Sequence, residues 1–517
     1  TFSFSAGGAF ADPVTQRITF VNPPLLPDYN RDGVIDERDV AAYLAGHVFR
    51  YWVNECKISG DVWEELSLGQ GIADAITGLD NWRDEYVNGR FDLINLFPVA
   101  LKLEPFLNAW SGHGAVGVRI RSVDGNGRFN YTLASIGHSE AGTIRTAPRV
   151  NTLGAPLAGA RLAALDGSGL ALSATQIADM FSENSALLVC EAKSPSWFGL
   201  ELSVTVGGED MYTFRLPMRM STVDDMYRYV DIRGAHENPA MEFAGTDAPP
   251  NNAEAEAYGR DVFFVHGFNV SPANAREWNR EMFKRFWVSG MKARYWGVTW
   301  SGDYHVTPLV GDWFNGLHYH RDVRQALLTA PTFKRLVDIH GRNAVVIGHS
   351  LGNMVVSEAL LLGANASTYI MLDAAVASEA YRPELQADSD EILAKYRPGD
   401  WNGYDSLAWS ANWYTWFTND VNDARGKIGW AGHFAPLLNR QGLSVYNFYS
   451  SGDEVFDEAD GTPGISTGVF HWPTLNLEWP FFHLNWTLDA FPWQKQEVFK
   501  GVNAAGSLSA GWGFHCW

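Results

Sequence analysis

The pattern of apolar and polar positions changes character along the chain. Between residues 92 and 235, short alternating runs such as 200–206 are separated by glycine-containing turns, which is typical of antiparallel strands. Beyond residue 259, apolar strand-like runs alternate with helical stretches, a pattern that predicts a mostly parallel sheet covered by helices. Between these regions lies a polar, proline-rich segment at 236–258, and its composition is typical of a linker.

We therefore expect a multidomain protein. Its predicted parts are an N-terminal segment at 1–91, an antiparallel β-sandwich-like domain at 92–235, and a domain at 259–517 with a mostly parallel sheet. Strands are predicted at 117–123, 200–206, 261–265, 293–300, 344–347, 369–372 and 443–449. Helices are predicted at 40–52, 275–289, 323–339 and 353–360.

Composition narrows the class of protein. Of the 517 residues, 46% are hydrophobic and 19% are charged, which is typical of a globular protein. The net charge of −20 and the lack of Lys and Arg clusters disfavour nucleic acid as a partner. No apolar run approaches the ~18–20 residues that a transmembrane helix needs, so no transmembrane helix is expected. Three cysteines, Cys56, Cys190 and Cys516, are too few for a disulfide framework.

The strongest chemical signal is a sharp turn after a strand. The apolar run 344–347 leads into Gly348-His349-Ser350-Leu351-Gly352, and a helical stretch follows. Such a turn requires glycine two residues before and after the central residue, because a larger side chain would collide with neighbouring backbone. The turn exposes the hydroxyl of Ser350 at a helix N-terminus, where negative charge is stabilised. Ser350 is the predicted nucleophile.

A second strand end predicts an oxyanion hole. The strand at 261–265 leads into His266-Gly267-Phe268-Asn269. When a serine attacks a carbonyl carbon, the negative charge that develops on the oxygen must meet preorganised N–H donors. We assign these donors to the backbone of Phe268 and Leu351.

An acid and a base are expected later in the chain. Asp453 follows the strand at 443–449 and is the predicted acid, with Asp373, at the end of 369–372, as the reserve. Three histidines follow Asp453. His471 leaves little room for a crossover, and His483 is a further candidate. His515 is the preferred base, although the base could equally lie beyond Trp517, since the abrupt ends Thr1 and Trp517 suggest a processed or excerpted chain.

A tryptophan-rich insertion at about 375–442 separates the strands at 369–372 and 443–449. It is predicted to be a helical cap that shapes an apolar pocket over Ser350. Ordinary helical packing is the alternative.

Near the N-terminus, an aspartate-rich loop matches a calcium-binding pattern. Oxygen ligands at positions one, three, five, seven, nine and twelve, with glycine at six and an aliphatic residue at eight, are the requirement. The predicted ligands are Asp28, Asn30, Asp32, the carbonyl of Val34, Asp36 and Asp39. Gly33 permits the turn and Ile35 packs inward. A single loop suits a structural role for calcium, and a solvated Asp-rich turn is the alternative.

These motifs, with Phe264–Asn269 and Trp300-Ser301-Gly302-Asp303, make residues 259 to about 456 resemble uncharacterised bacterial α/β-hydrolases and, more distantly, lipases and esterases. The resemblance implies a Ser-Asp-His triad carried onto Ser350 and Asp453, and it implies no particular substrate. The first functional hypothesis is an esterase or lipase-like acyl hydrolase, with a small-molecule or lipid ester as the expected substrate. Asp at loop position twelve resembles the calcium repeats of dockerins. A secreted or surface-displayed protein is implied, with cell-surface or self-association partners. The competing hypothesis is a hydrolase scaffold that serves as an inactive structural or binding protein.

Overall fold

The computed structural model describes residues 23–54, 94–381 and 432–448, apart from gaps at 111, 124–128, 136, 140, 142–161, 166, 184–185, 269, 304–318 and 377–379. The described chain forms two compact units. The first contains the residues up to Met226 together with Pro249–Ala253 and Met282–Met291. The second contains Tyr227–Ala248, Glu254–Glu281 and the residues from Lys292 onward.

Antiparallel strands dominate the first unit. A five-stranded sheet has the order β1-β3-β8-β5-β6, a four-stranded sheet has the order β10-β9-β4-β7, and β2 pairs in parallel with β11. The strands are β1 (Leu25–Pro27), β2 (Phe49–Trp52), β3 (Leu96–Leu101), β4 (Val116–Ser122), β5 (Phe129–Ser135), β6 (Ala163–Leu165), β7 (Leu170–Leu172), β8 (Ala186–Ala192), β9 (Leu200–Val206), β10 (Glu209–Leu216) and β11 (Met218–Ser221). The helices are α1 (Glu37–Leu44), α2 (Glu104–Trp110) and α3 (Ala174–Glu183). The predicted antiparallel strands are thus confirmed.

The helix predicted at 40–52 is wrong in its second half. Helix α1 ends at Leu44, Gly46 adopts a left-handed φ of 81°, and residues 49–52 form β2. Phe49, Tyr51 and Trp52 are buried in this strand, whose partner β11 lies far away in the sequence. Packing of these aromatic side chains outweighs the local helical preference.

A six-stranded sheet forms the centre of the second unit. Its order is β12-β14-β13-β15-β16-β17, and every pair is parallel. The strands are β12 (Arg228–Asp231), β13 (Asp261–Val265), β14 (Arg294–Thr299), β15 (Ala344–His349), β16 (Ala366–Leu372) and β17 (Ser444–Phe448). The helices are α5 (Tyr319–His340), α6 (Gly352–Leu361) and α7 (Ala435–Leu438), together with the part of α4 (Pro272–Val288) up to Glu281; the rest of α4 belongs to the first unit. The predicted parallel sheet is confirmed, and it also includes β12, from the segment predicted to be antiparallel.

The buried strands of this sheet carry apolar side chains on both faces, as parallel strands between helix layers require. Phe263, Val265 and Val346 are fully buried, and Leu336 of α5 and Val355 of α6 belong to the same core. No helix among the described residues is both long and apolar enough to cross a bilayer.

The chain leaves the sheet after β16 and returns to it before β17. The Phe434 N–H donates to the Ala380 carbonyl at 2.7 Å, and the rings of Tyr381 and Phe434 pack with centroids 5.4 Å apart. Most of the predicted cap, including its tryptophans, lies outside the described residues.

Candidate active site at the carboxyl ends of the parallel strands

Three strand ends meet at one place in the sheet. The chain passes from β13 to β14 on one side, whereas β15, β16 and β17 extend the sheet on the other side, so the strand order reverses between β13 and β15. Sheets of this type bind ligands outside the carboxyl ends of their strands at such a reversal. Val265 is level with Gly348, and His349 is level with Leu372. The segments that follow these strands are therefore neighbours.

Ser350 lies in the tight turn between β15 and α6. Its φ of 48° is left-handed, a conformation that costs a non-glycine residue about 1–2 kcal/mol. The backbone is held on both sides, because its N–H donates to the Leu372 carbonyl at 3.0 Å and its carbonyl accepts from Ala375 N at 3.2 Å. The residue is half-buried. Strain at a rigidly held serine is typical of a functional position.

The glycines around Ser350 are required by close backbone contacts. A Cβ on Gly352 would lie 2.4 Å from the carbonyl oxygens of both Val265 and His266, and a Cβ on Gly348 would lie 2.8 Å from Asn353 Cα. These are the collisions that the sequence pattern predicts. The turn therefore packs directly on the end of β13.

The segment after β13 also contacts the serine. A Cβ on Gly267 would lie 2.8 Å from Ser350 Cβ and 3.2 Å from the His349 carbonyl oxygen. Phe268 follows Gly267, and Leu351 precedes the first residue of α6. The two predicted oxyanion donors thus belong to the two segments that meet at Ser350.

His266 is fully buried, and polar groups surround its ring. Nδ1 is 3.0 Å from the Gly267 carbonyl oxygen, and Nε2 is 3.2 Å from both the Trp300 backbone nitrogen and Thr299 Oγ1. Burial lowers the pKa of His266 to about 3, so the ring is neutral at ordinary pH. From the sequence, only the backbone around this residue was given a role.

Of the two predicted acids, Asp373 lies within the described residues, directly after a residue that hydrogen-bonds to the serine backbone. Asp373 follows β16 directly, is buried, and has a left-handed φ of 38°. Its neighbour Leu372 accepts the hydrogen bond from Ser350 N, and its own N–H donates to the Phe448 carbonyl at 2.9 Å. Asp453, five residues beyond the end of β17, lies outside the described residues.

His515, the predicted base, lies outside the described residues, and so do the other candidates His471 and His483. A histidine that the sequence reasoning did not consider, His349, adjoins Ser350. Its ring stacks on Trp278 with centroids 4.9 Å apart, and burial lowers its pKa to about 4. A neutral aromatic pair therefore lies beside the serine.

Asn353 was also missed. Its Nδ2 donates to the Ser350 carbonyl at 3.0 Å, and its Oδ1 accepts from the Tyr369 hydroxyl at 2.9 Å. The Tyr369 hydroxyl is 2.9 Å from Ser357 Oγ. A buried polar network of Asn353, Tyr369 and Ser357 thus stabilises the turn through the Ser350 carbonyl. The only signal of this role in the sequence is that Asn353 follows Gly352.

Arg233 joins the loops after β13 and β14. Its guanidinium donates to the carbonyls of Val270 and Trp300, at 3.3 and 2.8 Å, and forms an ion pair with Asp303. The Ser301 hydroxyl donates to the Arg233 carbonyl. This arrangement explains a structural role for the Trp300–Asp303 motif.

The predicted calcium loop, in the first unit, has ordered side-chain oxygens. Asp28 accepts from Gly33 N at 2.9 Å, Asn30 from Asp32 N at 2.9 Å, and Asp32 from Val34 N at 3.0 Å. Gly33 has a φ of 85°. Ile35 is buried, as predicted.

The twelfth residue of this loop, Asp39, is fully buried. It accepts hydrogen bonds from the backbone nitrogens of Tyr29, Asn30 and Asp36. Burial raises its pKa to about 6, and nearby Asp28 contributes. In the described part of the chain, no three His, Cys, Asp or Glu side chains are grouped as a metal-ligand set, and calcium binding stays a prediction.

Comparison with known proteins identifies no family for this chain. No family model, no curated protein and no solved structure matches the chain.

Proposed function

We propose that the second unit is a serine hydrolase of the α/β-hydrolase kind that cleaves carboxylic esters. The observation that carries the proposal is the strained, fixed position of Ser350 at the reversal of strand order, with Gly267 packed against its Cβ. Strand, sharp turn and helix are the context that a Gly-x-Ser-x-Gly nucleophile requires. The resemblance noted in the sequence supports the same class of protein.

In the proposed reaction, a histidine accepts the Ser350 hydroxyl proton while Oγ attacks the ester carbonyl carbon. The resulting oxyanion is stabilised by the backbone N–H groups of Phe268 and Leu351. Collapse of the intermediate breaks the bond to the alcohol, which takes the proton from the histidine. Water then attacks the acyl-enzyme by the same route and releases the acid. His515 is the proposed base.

Two carboxylates compete for the role of the acid. The contacts of its neighbours favour Asp373, because Leu372 and Ala375 both hydrogen-bond to the Ser350 backbone. Asp453 keeps the support of its place after β17, the strand next to β16.

The test uses a fluorophosphonate probe and a chromogenic ester with the full chain. We expect labelling and hydrolysis by the wild type, and the loss of both in Ser350→Ala. Ser289→Ala, a change at an exposed serine outside the Gly348–Gly352 turn, is the matched control. Labelling that persists in Ser350→Ala would exclude Ser350 as the nucleophile. A folded wild type with neither activity would favour the inactive scaffold instead.

We also propose that the Asp28–Asp39 loop holds a structural calcium ion. Its donor set is all oxygen, as calcium prefers, and one oxygen of each of Asp28, Asn30 and Asp32 is held by a backbone N–H. The ion would connect α1 to the preceding loop. Arg38 pairs with Asp32 and Asp36, so its positive charge lies at two of the carboxylates that would bind the ion.

A further inference from the structure

We propose that His266 is a positioning residue, whose fixed tautomer orients the Gly267–Phe268 peptide so that the Phe268 N–H serves the oxyanion hole. This inference rests on the proposed hydrolase function. It assigns a task to a buried side chain that does not itself touch substrate.

The contacts of the ring determine where its proton lies. The Trp300 N–H donates to Nε2 at 3.2 Å, so Nε2 is an acceptor and carries no hydrogen. Thr299 Oγ1, also at 3.2 Å, has a hydroxyl hydrogen to donate to the same nitrogen. Because the ring is neutral, its single proton lies on Nδ1, which donates to the Gly267 carbonyl at 3.0 Å.

The ring is itself held firmly. His266 is fully buried, and its backbone carbonyl accepts a hydrogen bond from Trp300 Nε1 at 2.7 Å. The His266 and Trp300 rings stack with their centroids 6.0 Å apart. Both ring nitrogens are used in these hydrogen bonds. His266 is therefore unsuited to act as the base for Ser350.

A hydrogen bond that fixes the Gly267 carbonyl also fixes the Phe268 N–H, because both belong to the same planar peptide. The peptide bonds of the described residues are trans, so the Gly267 carbonyl and the Phe268 N–H point in opposite directions. The carbonyl points to the His266 ring and to Gly302, where a Cβ would lie 2.6 Å from the carbonyl oxygen. The Phe268 N–H consequently points away from that side of the loop.

The need for such a contact comes from Gly267 itself. Ser350 leaves no room for a side chain there, yet glycine gives the following peptide unusual freedom to rotate. A flipped peptide would present a carbonyl oxygen in place of an N–H donor, and that oxygen would repel the developing oxyanion. The Nδ1 hydrogen bond opposes this flip without adding bulk near the serine.

Two amide variants separate the ring nitrogens. Asparagine places an amide at the position of Nδ1 and can still donate to the Gly267 carbonyl, whereas glutamine reaches the position of Nε2 and loses that donor. We expect His266→Gln to lower kcat by about 10²–10³-fold, the loss typical of one oxyanion donor, and His266→Asn by less than about tenfold. KM is expected to change little in either variant. Parallel losses of affinity for a boronic acid that mimics the tetrahedral intermediate would accompany the kcat losses.

Equal loss of kcat in the two variants, with wild-type activity dependent on Ser350, would overturn the inference and leave the proposed function intact. A wild type without Ser350-dependent hydrolysis would instead overturn the proposed function. Nitrogen NMR of histidine-labelled wild type keeps the inference testable if the variants do not fold. We expect His266 as the Nδ1–H tautomer, without titration between about pH 5 and 8; an Nε2–H tautomer would refute the inference.

Discussion

Replacement of Gly352 by alanine tests whether the packing of the turn on β13 sets both stability and chemistry. The added Cβ would lie 2.4 Å from two backbone carbonyl oxygens, of Val265 and His266, whereas contacts under 3.0 Å are essentially never observed. Backbone atoms cannot rotate away as side chains do, so α6 and β13 must separate by roughly 1 Å before the Cβ reaches an ordinary contact distance. Overpacking of this kind costs about 1–3 kcal/mol, and the rigidity of both partners places Gly352→Ala near the upper end.

The same displacement moves Ser350 relative to the oxyanion donors, and a shift of about 1 Å can lower the rate about 10²-fold. Urea denaturation and ester hydrolysis measure the two effects. Gly259→Ala is the matched control, because a Cβ there has open space and the residue has no left-handed φ. If Gly352→Ala matched Gly259→Ala in both stability and kcat, the close packing of turn and strand would be refuted.

Three further predictions address the acid, the metal and pH. Asp373→Asn is expected to lower kcat by about 10⁴-fold, as loss of a triad acid does, with Asp453→Asn much less affected; the reverse order in kinetic assays would assign the acid to Asp453. Calcium at about 100 times its dissociation constant is expected to add ~2.7 kcal/mol to the free energy of unfolding, and calorimetry should show no such gain in an Asp28→Ala, Asp32→Ala double variant. The pKa of His266 is about 3 in the folded chain against an ordinary 6.5, so the unfolded chain binds more protons between these values and stability falls as pH is lowered through that window. Between pH 7 and pH 5 this residue is expected to lower the free energy of unfolding by on the order of 2 kcal/mol. Urea denaturation at the two pH values should show a loss smaller by that amount in His266→Asn than in the wild type.

The elements that the sequence predicts best are those whose pattern is local. The strands at 200–206 and 261–265 have the observed bounds, because alternation or continuous burial is visible within each run. Strand β2 was mistaken for helix because its partner β11 is far away in the chain. The parallel strand order likewise depends on distant pairings, so the sequence predicts only that the sheet is mostly parallel.

The candidate site divides in the same way. Ser350 and its glycines were predicted because the turn imposes its requirements within five residues. The task of His266 depends on Thr299 and Trp300, at the end of a different strand, and no spacing in the sequence reveals that contact. The chain order of the triad favours Asp453 over Asp373, whereas the contact of Leu372 with Ser350 results from the pairing of β15 with β16, which the sequence does not show.

The hydrogen bond between Ala380 and Phe434 has a consequence for how this chain tolerates change in length. Because the chain leaves the sheet and returns to it at the same point, the register of β16 against β17 is fixed by contacts on the sheet side of this hydrogen bond. Evolution can therefore alter the length of this connection while Leu372, which holds the Ser350 N–H, keeps its position.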